Sequence, residues 1–228
     1  MITMSNRGVS LTVNASGAVL AARAGNVVVI VDVIDMSTSL EAALDAGARQ
    51  VFGASPAETR APVEVHPEEI GRQAGEIAKR EGSGVIIISE PRVGTEEERR
   101  SRSARVIRGI EEAGADVAVV LPNAGAETVK LADFAGKVVI GVSDTGGVAY
   151  DAALAAGAPA VLTGTVARTM RKKACEPARA AARRAVEKAV ETGSGITVVA
   201  ASANSLEDIL AAEYIVKAII EEGFTALR

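Results

Sequence analysis

Short, nearly all apolar runs rich in valine and isoleucine recur along the chain, most of them followed by a stretch with helical spacing. This alternation constrains the fold more than any other feature. The runs are Val27–Val33, Gly84–Ser89, Asp116–Leu121, Lys137–Val142, Ala158–Thr163 and Gly195–Ala200, with a weaker one at Gln50–Gly53. Continuous apolar strands are what a sheet buried on both faces requires. The stretches between them are Ser39–Ala46, Pro67–Glu81, Thr95–Ala113, Gly125–Ala132, Gly147–Ala156, Thr165–Glu191 and Ser205–Glu222, most of them alanine-rich. Three helix-to-strand joints read Asp45-Ala-Gly-Ala48, Glu112-Ala-Gly-Ala115 and Ala155-Ala-Gly-Ala158, the glycine serving as a left-handed cap. The expected class is α/β, built of alternating βα units, with a mostly parallel sheet and helices on both faces. Seven strands leave three arrangements open: one open sheet, two smaller sheets, or a barrel short of one strand. Residues 1–228 read as a single α/β domain, or as two closely packed α/β subdomains, because no proline- or serine-rich linker divides them.

Composition removes several functional classes. One cysteine and one histidine make neither a disulfide framework nor an ordinary zinc site. A net charge of −4 and 2% aromatic content offer neither an electrostatic footprint for nucleic acid nor a platform for base stacking. No apolar run approaches the roughly 20 residues of a membrane helix. Met1–Asn26 lacks the basic and apolar regions of a signal peptide. The expectation is a cytoplasmic protein with no membrane or nucleic-acid partner; the alanine-rich helices leave a homodimer open. Cys175, in a basic stretch without a histidine partner, reads as non-catalytic.

Two charge runs stand out. From Thr95 to Arg108 acids lead and bases follow, which suits a solvated helix with i,i+4 pairing. Arg168–Lys188 is strongly basic, and either a solvated face or an anion-facing helix start accounts for it.

In open parallel sheets ligands bind at the carboxyl ends of the strands. The first such end reads Val-Asp32-Val-Ile-Asp35-Met-Ser37-Thr38-Ser39. A buried carboxylate needs a cation, a metal or several N–H donors. Asp32 beside the hydroxyls and N–H groups of Ser37 and Thr38 suits Mg²⁺ bridging a carboxylate and a phosphate; a turn cap and a helix cap are the structural alternative. Glu207 and Asp208 follow the last strand, where the helix dipole alone also favours acids. Two further strand ends, Ser143-Asp-Thr145-Gly146-Gly147 and Pro122-Asn123-Ala-Gly125, are rich in polar and small residues before helices.

These segments together resemble the 2-phosphosulfolactate phosphatase (ComB) family, Mg²⁺-dependent enzymes of coenzyme M biosynthesis. The family's strand ending Asp-Val-Leu-Arg-Ala-Thr-Ser-Thr is matched by Asp32-Val-Ile-Asp35-Met-Ser37-Thr38-Ser39. Its Ser-Leu-Glu-Asp-x-Leu-x-Ala-Gly is matched by Ser205-Leu-Glu207-Asp208-Ile-Leu-Ala-Ala-Glu213. Its Asn-Gly-Thr loop corresponds to Thr145-Gly146-Gly147, its Gly-Asn-Ser-Pro to Pro122-Asn123-Ala-Gly125, and its Gly-Glu-Arg-Gly to Ser89-Glu90-Pro-Arg92. Order and spacing hold from Val27 to Val216. Asp35 replaces the family's arginine, Ala211 a cysteine and Glu213 a glycine, so the chain is a divergent relative.

The resemblance implies a Mg²⁺-dependent phosphatase acting on a small, acidic, 2-phosphosulfolactate-like phosphoester. Asp32, Glu207 and Asp208 would be catalytic, with Asp32 and Glu207 holding the metal. Ser37, Thr38, Asn123, Thr145 and Gly146 would hold the substrate, and Arg92 and Arg168 would supply the positive charge an anionic metabolite needs. Two alternatives stand beside it: a non-catalytic small-anion binding protein on the same fold, and a metal-independent lyase or isomerase using carboxylates as acid and base.

Overall fold

The computed structural model describes residues 8–224; the ends of the chain, including the first residues of Met1–Asn26, lie outside the described residues. Within them are eight strands: β1 (Val9–Val13), β2 (Val27–Val31), β3 (Gln50–Ala54), β4 (Val85–Ser89), β5 (Val117–Pro122), β6 (Val138–Val142), β7 (Val161–Gly164) and β8 (Ile196–Ala200). Eight α-helices accompany them: α1 (Asn14–Arg23), α2 (Thr38–Asp45), α3 (Pro67–Arg80), α4 (Glu96–Arg102), α5 (Ala104–Glu112), α6 (Gly146–Ala155), α7 (Glu176–Thr192) and α8 (Leu206–Glu221). A π-turn spans Val33–Ser37 and a 3₁₀ turn spans Gly125–Lys130.

All pairings are parallel, and the strands form two four-stranded sheets, ordered β1-β8-β2-β7 and β3-β6-β4-β5. The chain starts in the first sheet, crosses to the second through α2, and returns through α6. Helices α1, α2 and α6 pack between the sheets, α7 and α8 cover the far side of the first, and α3 and α5 pair over the second. Strand β2 shows why a continuous apolar run is needed. Val28 and Ile30 join the shared middle core, while Val27, Val29 and Val31 join the core under α7 and α8. The joint glycines Gly47, Gly114 and Gly157 sit at φ of 93°, 71° and 83°, the left-handed conformation their sequence positions predict.

The structure departs from the sequence expectation in four places. Strand β1 and helix α1 are additional, making eight strands rather than seven. The helix expected over Thr95–Ala113 breaks at Ser103 into α4 and α5, and α4 opens with a capping box between Thr95 and Glu98. Gly125–Ala132 holds a 3₁₀ turn rather than an α-helix. Residues 165–175 are a loop, so α7 begins only at Glu176, with Pro177 in its first turn. Among the described residues no helix is long and apolar enough to cross a membrane.

Candidate functional site

The carboxyl ends of β2 and β8, neighbours in one sheet, meet the carboxyl end of β6 from the other. At this junction lies a cleft of about 290 Å³ lined by Asp32, Asp35, Thr145, Asn204, Glu207 and Asp208, among others. Asp32 is its buried floor, 2% exposed. Its Oδ2 accepts hydrogen bonds from Ser143 Oγ (3.1 Å), Thr145 Oγ1 (2.8 Å) and the Gly146 N–H (2.6 Å), and its Oδ1 from the Asp35 N–H (3.0 Å). Asp32 therefore caps α6 from across the sheet junction, where a carboxylate suits the positive end of the helix. A Cβ on Gly146 would lie 2.3 Å from Asp32 Oδ2, so only glycine lets the carboxylate approach.

The first and last motifs come together. The Val33 N–H donates to Asp208 Oδ1 at 2.9 Å, joining segments 175 residues apart. Ser205 caps α8 by accepting from the Asp208 N–H at 3.2 Å. Burial pushes the Asp208 carboxyl up to about 6, opposed by the Val33 bond and reinforced by the charge of Asp32. Burial, together with Asp32, Glu90 and Asp144, also raises Asp35, and Arg92 partly offsets this. Among the described residues no lysine or arginine lines the cleft.

The expected phosphate cradle is corrected by this geometry. Thr145 Oγ1 and the Gly146 N–H already hold Asp32, so they face a carboxylate of the protein itself. Ser37 is buried, with its Oγ accepting from the Asp32 N–H at 3.0 Å and donating to Ile30 O at 3.2 Å. Thr38 Oγ1 bonds Val33 O and, at 2.9 Å, Thr165 Oγ1. Asn123, likewise buried, donates to the carbonyls of Ile34 (3.1 Å) and Asp35 (2.8 Å) and to Glu90 Oε1 (3.1 Å). It braces the π-turn and has no donor left for a substrate.

Arg92 and Arg168 part company. Arg92 Nε donates to the Asn123 carbonyl at 2.7 Å, which anchors its exposed guanidinium within electrostatic reach of Asp35. Arg168 points instead to Glu127, at 3.5 Å, and does not line the cleft. Ser143 stands in the sequence at a strand end rich in polar and small residues, the first polar residue after the wholly apolar β6, but its bond to Asp32 is visible only in the fold.

A Mg²⁺ site was expected at Asp32 and Glu207. Among the described residues no three His, Cys, Asp or Glu side chains converge on one point. With four donors on Asp32, the carboxylates facing the cleft beyond it are those of Asp35, Glu207 and Asp208. Mg²⁺ is commonly held by one or two carboxylates together with waters and substrate phosphates, a requirement this donor set fits. In comparisons with known proteins, no family model and no curated sequence matches the chain.

Proposed function

We propose that the chain is a Mg²⁺-dependent phosphoric monoester hydrolase acting on a small acidic phosphoester of the 2-phosphosulfolactate type. The observation that carries this reading is the meeting of the two most specific motifs, Asp32–Ser39 and Ser205–Glu213, through the Val33–Asp208 bond at one acidic cleft. Glu207 and Asp35 would hold Mg²⁺, which when bound neutralises charge on the transferring phosphoryl group. Asp208 accepts a proton from the attacking water, a role that suits a carboxyl held near 6. Arg92, outside the cleft lining but within electrostatic reach of Asp35, would offset part of the negative charge of the substrate. Asp32 positions the others by fixing the π-turn and α6.

The test is phosphate release from a panel of phospho-acids, with Mg²⁺ and after chelation. Asp208→Asn is expected to lower the Mg²⁺-dependent rate by about 10²-fold or more. No release above blank from any panel member, with no calorimetric Mg²⁺ binding in the presence of phosphoglycolate, overturns the reading.

The raised proton affinity of both Asp35 and Asp208 favours a second reading, a metal-independent lyase or isomerase with these carboxylates as acid and base. Turnover that survives chelation and is lost in both Asp35→Asn and Asp208→Asn would select it.

A further inference from the structure

Residues 165–175 hold their shape through a buried ionic anchor. The Thr169 N–H donates to Lys172 O at 3.0 Å. Thr169 Oγ1 accepts from the N–H groups of Arg171 (3.2 Å) and Lys172 (2.9 Å) and donates to Asp45. Lys172 Nζ turns inward to Glu41 Oε1 at 2.6 Å and to Asp45, and Arg184 closes on the other side of Glu41, which is fully buried. The turn Thr169–Lys172 is thus fixed, with Met170 and Arg171 at its apex.

That apex faces outward. Met170 is 46% exposed, and Arg168, Arg171 and Lys173 in the same loop and Arg179 in the first turns of α7 are exposed as well. Among the described residues Arg171, Lys173 and Arg179 have no ion-pair partner. Of the eight Lys or Arg in 168–188, the other five pair with acids elsewhere, so these three are the free cations of the stretch among the described residues, in a chain whose net charge is −4. A local basic surface therefore sits on an acidic protein, and net charge averages it away. Screening over about 8–10 Å means that a partner meets the patch and not the average.

We propose that the Thr169–Lys172 turn and its exposed basic neighbours dock on an anionic lipid bilayer. Three observations favour a lipid surface. The unpaired positive charges complement anionic headgroups. An apolar side chain stands at the apex, where it enters the headgroup boundary. The turn is already rigid, so docking orders little. Nucleic acid fits less well, because no aromatic side chain lies on the turn to stack a base. The contact is peripheral and needs no spanning helix.

The test is co-sedimentation of the full chain with vesicles of phosphatidylcholine alone and of phosphatidylcholine mixed with phosphatidylglycerol. Retention is expected only on the anionic vesicles and is expected to fall steeply as salt rises. Arg171→Glu and Lys173→Glu should each weaken it roughly fivefold or more. Met170→Asp should weaken it too, while all three variants keep the wild-type melting temperature. Absence of retention on anionic vesicles overturns the proposal. Equal retention on both vesicle types, or retention unchanged in Arg171→Glu/Lys173→Glu, overturns it as well. RNA binding in place of vesicle binding, insensitive to Met170→Asp, does the same and assigns the patch to nucleic acid.

Discussion

Replacing Asp32 by asparagine removes an acceptor that three donors share. An amide nitrogen cannot accept from Ser143, Thr145 or Gly146, and the flipped amide loses the Asp35 N–H instead. Asp32→Asn is therefore expected to lower stability by about 2–4 kcal/mol in urea denaturation, in keeping with lost bonds to a buried charge. Gly146→Ala should be comparably damaging, because the added Cβ meets the Asp32 carboxylate. A second buried carboxylate gives a pH signature. Asp151 accepts from Ser55 Oγ (2.6 Å) and from the His66 N–H (2.7 Å), yet burial still raises its proton affinity above the usual 3.8. The folded state then binds this proton more tightly than the unfolded chain. The group's contribution to stability is complete below 3.8 and is lost as pH rises through the folded-state value. Asp151→Asn removes that loss, so its stability relative to wild type should improve from about pH 3 to about pH 7 in paired denaturation series.

At the scale of elements, α3 packs unusually closely on α5. A Cβ on Gly71 would sit 2.1 Å from Val106 O, and one on Gly109 would sit 2.0 Å from Glu68 O, so the two helices touch backbone to backbone. Gly71→Ala and Gly109→Ala should each cost about 1–3 kcal/mol by forcing the pair apart, despite alanine's better helix propensity, and thermal melts would show it. Which elements were legible in the sequence follows from burial. Strands with both faces covered, such as β2 and β4, announce themselves as continuous apolar runs. Strand β1 sits on a sheet edge with only partial burial, so Val-Ser-Leu-Thr-Val gave no such signal. The loop at 165–175 was read as helix because its alanines and bases have helical composition. What unwinds it is a set of long-range contacts to Glu41 and Asp45, which no local pattern records. The site divides in the same way. Asp32 was visible as an acid at a strand end and Asp208 as an acid opening the helix after the last strand, whereas the engagement of Asn123 by the π-turn and of Thr145 by Asp32 is a tertiary fact.

For the molecule as a whole, the first sheet draws β1 and β2 from one end of the chain and β7 and β8 from the other, and it shares its inner core with the second sheet. Neither sheet with its helices is a free-standing unit. Far-UV circular dichroism and a probe of the cleft should therefore lose signal together, in one transition at a single urea midpoint; two separated midpoints would refute this. The order of the strands also has a consequence on the ribosome. Val9 pairs with Ile196, so β1 is synthesised 187 residues before β8, its sheet neighbour among the described residues. At 5–20 residues per second that interval is about 10–40 s. The strands of the second sheet all lie between Gln50 and Val142, inside that interval. The five apolar residues of β2 emerge early and have no sheet partner until β7 and β8 follow. During translation that segment is an apolar strand with its edges unpaired, the kind of surface that nascent chains use to adhere to one another.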